Sequence, residues 1–127
     1  MKKLLILTTL AALPLAACGG GGEEPASGGG GDAAAIAAGK TAFMANACAT
    51  CHGETGLGDG AAAAALTVKP RNYTDATWQN SVSDADIKNV IVKGGAANGL
   101  DAAMVAYGHL PEADIDNIVA YIRSLKK

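Results

Sequence analysis

Residues 48–52 read Cys-Ala-Thr-Cys-His, and no other feature of this 127-residue chain restricts its folding and chemistry so sharply. Two thiols three positions apart lie on one side of a helical turn, with an imidazole directly after them. A flat partner with two reactive groups along one edge and a metal at its centre would meet all three side chains at once. The pattern reads as a covalent haem attachment site, in which Cys48 and Cys51 each add to a vinyl group and His52 is the proximal iron ligand. The competing readings are weaker. A thioredoxin-like redox pair needs a βαβ context that the sequence does not show. A structural zinc site needs four ligands, and beyond Cys18 only Cys48, Cys51, His52 and the distant His109 remain. A plain disulfide between Cys48 and Cys51 is the weaker reading on the specificity of the five-residue motif and the export signal ahead of it.

A bulky apolar cofactor also answers a deficit in the composition. The chain has one Phe, one Trp and three Tyr, while alanine and glycine dominate. Small domains are marginal on surface-to-volume grounds, and such residues favour helices packed closely around something large. Residues 32–127 form one domain.

Ahead of that domain the chain reads as an export segment. Lys2 and Lys3 precede an apolar run from Leu4 to Ala17, too short for a span that needs about 20 residues. The run closes as Leu15-Ala16-Ala17-Cys18, which resembles the lipobox of bacterial lipoproteins. On that resemblance residues 1–17 are a signal peptide, Cys18 carries lipid, and several acyl chains anchor the protein to a membrane on the periplasmic side. Gly19 carries no retention acid, which leans toward the outer membrane in a Gram-negative owner. Residues 18–31 comprise the lipidated cysteine and the Gly-rich stretch GGGGEEPASGGGG, a flexible tether with a reach on the order of 20 Å. The formal charge of −2 becomes more negative once Lys2 and Lys3 are removed. Mild, scattered negative charge argues against nucleic acid as a partner.

Three segments carry helical signals and none reads as a strand. Asp32 can cap a helix that places Ile36, Gly39, Phe43 and Ala47 on one face. Ser83, with Asp86 three residues on, opens a second through Ile87, Val90 and Ile91, which stops at Gly94-Gly95. Pro111 opens the last, with acids in its first turns, Arg123, Lys126 and Lys127 at its end, and an apolar stripe of Ile115, Ile118, Val119, Ile122 and Leu125. Residues 53–70 read as loop with one short helical turn.

The sixth position on the iron separates electron transfer from ligand binding or oxygen chemistry. Met44 lies one turn before Cys48 and reads as packing. Met104 and His109, both ahead of the last helix, remain as candidates.

Residues 33–126 resemble the class I bacterial cytochromes c. The likeness rests on Gly39 and Phe43 in the first helix, the Cys48–His52 site, the Gly-X-X-Gly-X-Gly-Asp-Gly run from Gly53 to Gly60, Lys69-Pro70-Arg71, and Met104 ahead of the last helix. It implies an all-α cytochrome c fold, with three to four helices around one covalent haem c and the N- and C-terminal helices crossing. It also implies Met104 as axial ligand beside His52, and Gly39 and Phe43 crossing Tyr121. By the same likeness the Pro70 carbonyl accepts from His52 Nδ1, and Arg71, Tyr73 and Trp78 face the haem propionates. Val105 follows Met104 where the family commonly has proline, which leaves the ligand loop less rigid. The implied role is single-electron transfer between redox proteins, with an oxidase, a dehydrogenase or a quinol-oxidising complex as partner and no small-molecule substrate. The rivals are a haem enzyme or gas-binding cytochrome with a labile sixth ligand, a bis-histidine centre using His109, and a tethered subunit of a membrane oxidoreductase.

Overall fold

The computed structural model describes residues 31–127. The signal segment 1–17, Cys18 and the tether as far as residue 30 lie outside the described residues. Within them the chain forms five α-helices: α1 (Ala33–Ala45), α2 (Ala49–His52), α3 (Ala76–Ser81), α4 (Asp84–Lys93) and α5 (Glu112–Ser124). There is no strand among the described residues, and no helix there is long and apolar enough to cross a membrane. The three helices expected from periodicity are present. The other two, α2 and α3, are only four and six residues long, too short to register as a periodic pattern.

Alanine, the best helix former, fills α1, and the Asp32 carboxylate accepts the Ala34 N–H at 3.0 Å to cap it. The helix stops earlier than expected. Asn46 bends its side-chain amide back to the Ala42 carbonyl (2.8 Å), and Ala47 leaves the apolar face by adopting a left-handed φ of 57°. That elbow turns the chain directly into α2. The start of α4 follows its sequence closely: Ser83 Oγ accepts the Asp86 N–H at 3.1 Å while Asp86 Oδ2 accepts the Ser83 N–H at 2.9 Å. Pro111 is the N-cap of α5 and Glu112 its first helical residue.

Helices α1 and α5 cross through Gly39. A Cβ on Gly39 would overlap the Asn117 carbonyl oxygen and come within 2.9 Å of Tyr121 Cβ, so only glycine permits this approach. One turn on, the Phe43 and Tyr121 rings meet edge to face with centroids 5.4 Å apart. Ile115, Ile118, Val119 and Ile122 of α5 and Ile87 and Ile91 of α4 complete the core. Arg123 fastens α5 to α3 and α4, donating to Asp84 Oδ1 (2.6 Å), to the Gln79 and Val82 carbonyls (2.6 and 2.7 Å) and to Gln79 Oε1 (2.8 Å). Lys88 pairs with Glu112 and Asp116 across α4 and α5, but these carboxylates are largely exposed and the pairs contribute little.

Candidate functional site

The crossed helices stand behind one wall of an open cavity of about 360 Å³, and every candidate donor except His109 lies on that cavity. Cys48, Cys51 and His52 reach it from α2. The glycine run beyond α2 folds back over the helix end: Gly58 N–H donates to the His52 carbonyl (2.8 Å) and Gly60 N–H to that of Cys51 (3.1 Å). Gly60 sits so close that a Cβ would strike the Thr50 carbonyl, which accounts for glycine there.

The two thiols are free. Burial pushes the Cys48 thiol up to about 11, so it is protonated at neutral pH. A thioredoxin-like pair activates one thiol by lowering its pKa, and Cys48 shows the opposite. Nor is there, among the described residues, a cluster of three or more His, Cys, Asp or Glu side chains suited to a metal ion, as a zinc site would require.

The His52 imidazole lies flat against Tyr73, with ring centroids 4.7 Å apart and planes 17° from parallel, and the Tyr73 hydroxyl is 3.2 Å from Nε2. Nδ1 is buried without a hydrogen-bond partner. Burial lowers the imidazole pKa, partly opposed by the backbone of Arg71, and so favours the neutral ring that metals bind. The contact expected from Pro70 is not made. Its carbonyl oxygen lies against Gly58 instead, where the Tyr73 N–H to Gly56 carbonyl bond (2.7 Å) draws the two loops together.

Arg71, Tyr73 and Trp78 all line the cavity, but they form one stack rather than three separate rim groups. The Arg71 guanidinium stands 5.6 Å over the Trp78 ring, and Trp78 leans on Tyr73 at 5.5 Å. Tyr73 departs most from expectation: it is buried, and its hydroxyl faces His52 instead of the cavity rim. Gln79, buried on α3, donates its amide to the Tyr73 carbonyl at 2.8 Å and holds that stretch of backbone, and the Tyr73 ring sits beside Phe43. Sequence reasoning missed Gln79, since a glutamine in a polar stretch gives no sign of burial.

Met104 lines the same cavity, half-buried, while Met44 packs against the core. His109 is exposed, its ring 6.0 Å from that of Tyr107. Tyr107 also lines the cavity and was likewise missed, having no local pattern to mark it. Two thiols, a neutral imidazole and a thioether, set in an otherwise largely apolar cavity, fit a covalently held haem.

Comparisons with known proteins agree. The family model described as Cytochrome c matches residues 36–126. Among solved structures, a chain of the Kuenenia stuttgartiensis reducing HAO-like protein complex is similar, with a TM-score of 0.58 and 28% identity over 70% of the present chain. The match spans 41% of that longer chain. A search of curated proteins finds no match. The crossed helices, the Cys48–His52 turn and the extent of the family match lead to one conclusion: the chain belongs to the cytochrome c family, whose members bind haem c covalently through such a Cys-X-X-Cys-His site.

Proposed function

We propose that this chain is a mono-haem electron carrier of the class I type, in which Cys48 and Cys51 hold the haem and His52 and Met104 are its axial ligands. The observation that carries the reading is the shared cavity: His52 and Met104, far apart in sequence, both line it together with the two thiols. When bound, the haem supplies a reversible one-electron couple, which the protein tunes through its axial ligands. The protein's own part is positional. The Tyr73 ring keeps the His52 imidazole from rotating, burial keeps it neutral, and the aliphatic walls from α4, Ile87, Val90 and Ile91, exclude water. A thioether ligand favours ferrous iron, so the centre suits the high-potential end of a respiratory chain.

The test compares the visible spectrum of oxidised protein, made in a host with haem-attachment machinery, with that of Met104→Ala. Wild type is expected to show the weak long-wavelength band of iron–thioether ligation, and Met104→Ala to lose it. A wild type without the band that binds carbon monoxide readily would instead favour the enzymatic or gas-binding reading.

Cleavage after residue 17 and lipid on Cys18 would hold the domain at the periplasmic face of a membrane, with the Gly-rich tether giving it reach toward donors and acceptors such as an oxidase, a dehydrogenase or a quinol-oxidising complex. A second reading has specific support, because the similar solved chain is part of a protein complex. The present chain would then be a tethered subunit of a larger redox assembly. Native membranes extracted with mild detergent and run on a sizing column discriminate the two. A free carrier elutes at the mass of the lipidated chain in its micelle, and a subunit co-elutes with a redox partner.

A further inference from the structure

The loop that presents Met104 lacks the proline that would stiffen it, and Val105, which stands there, is 55% exposed. The loop is nevertheless tied down. Its near end is fixed to the turn after α4, where the Gly95 N–H donates to the Met104 carbonyl at 2.8 Å. Its far end is hydrogen-bonded through Tyr107, whose N–H donates to the Ile91 carbonyl at 2.9 Å and whose hydroxyl donates to the Asn46 carbonyl at 3.0 Å. Asn46 caps α1 two residues before Cys48, and the Cys48 thiol approaches the same carbonyl at 3.8 Å. Tyr107 therefore links the Met104 loop directly to the segment that carries the cysteines. Tyr107 also lines the cavity, together with Met104, Cys48 and Cys51. Burial raises the phenol above its ordinary pKa, which keeps it a hydrogen-bond donor throughout the neutral range.

We propose that Tyr107 is a positioning residue for the axial ligand: its hydroxyl bond to Asn46 substitutes for the missing proline and holds Met104 over the cavity. The inference rests on Met104 being that ligand. An external ligand reaches the iron only from the fraction of molecules in which the loop has opened, so its apparent affinity reports that fraction.

The experiment titrates oxidised, haem-loaded protein with imidazole. The variants are Tyr107→Phe, which removes the hydroxyl alone, Met104→Ala, and Tyr121→Phe as a matched control. Tyr121 also donates a hydroxyl across the fold, to the Glu54 carbonyl at 2.8 Å, but away from the Met104 loop. Losing one such bond is expected to raise imidazole affinity in Tyr107→Phe about three- to tenfold, with Tyr121→Phe unchanged. Met104→Ala should bind most tightly of all. Unchanged affinity in Tyr107→Phe, or an equal rise in Tyr121→Phe, overturns the positioning role while leaving the ligand reading intact. Equal affinity in wild type and Met104→Ala overturns both.

Discussion

Gly39→Ala is expected to destabilise the haem-loaded domain by about 2–3 kcal/mol, lowering its unfolding midpoint by about 10 °C or more. Local preference points the other way, since alanine in place of glycine stabilises an exposed helix by about 0.5–1 kcal/mol. The added methyl, however, meets the Asn117 carbonyl and Tyr121 Cβ, both backbone or near-backbone atoms that cannot swing aside. Relief requires α1 to move off α5, which opens the edge-to-face contact of Phe43 with Tyr121. Thermal unfolding followed by circular dichroism measures the difference. A neutral or stabilising result would mean that the two helices do not pack through Gly39.

Gln79→Leu is expected to cost about 3 kcal/mol although leucine is apolar and close in size. Gln79 is 3% exposed, and its amide donates to the Tyr73 and Ile122 carbonyls at 2.8 Å each while its oxygen accepts from Arg123. Leucine leaves the Tyr73 carbonyl without a donor and takes one acceptor from Arg123, whereas the Ile122 carbonyl keeps the Leu125 N–H at 3.2 Å; a buried polar atom left unpaired costs roughly 1–3 kcal/mol. Gln79→Glu separates the contributions, because it keeps the acceptor for Arg123 and loses both donors. Denaturant titration of the two variants should place Glu between wild type and Leu. A Leu variant within about 0.5 kcal/mol of wild type would show that water serves these carbonyls instead.

Both sites show how far the sequence could be read. The Asp32 cap, the Ser83–Asp86 box and the stripe on α5 were legible because each depends on residues within a turn of one another. The Cys48–His52 spacing was legible for the same reason, and the closeness of α1 to α5 followed from the family likeness of Gly39 and Tyr121. What stayed hidden depends on residues distant along the chain. Gln79 reaches Ile122, and Tyr107 reaches Asn46, through single hydrogen bonds that no periodicity announces. Tyr73 is expected at the propionates, yet its hydroxyl faces His52, 21 residues away along the chain, a contact that no local pattern marks. Ala47 escaped for a different reason: alanine rarely adopts a left-handed φ, and here it does so where the chain breaks from α1 into α2.

The pairing of α1 with α5 also fixes the order in which a growing chain can close. A partner of Phe43 lies on α5, so a chain emerging N-terminus first cannot close that ring contact until α5 has followed. During that interval the turn bearing Cys48, Cys51 and His52 is secured only by near-neighbour bonds such as Cys48 N–H to the Phe43 carbonyl and Gly53 N–H to that of Ala49. The topology thus builds in a delay: the turn that holds the two thiols can form from local bonds before α5 packs behind it.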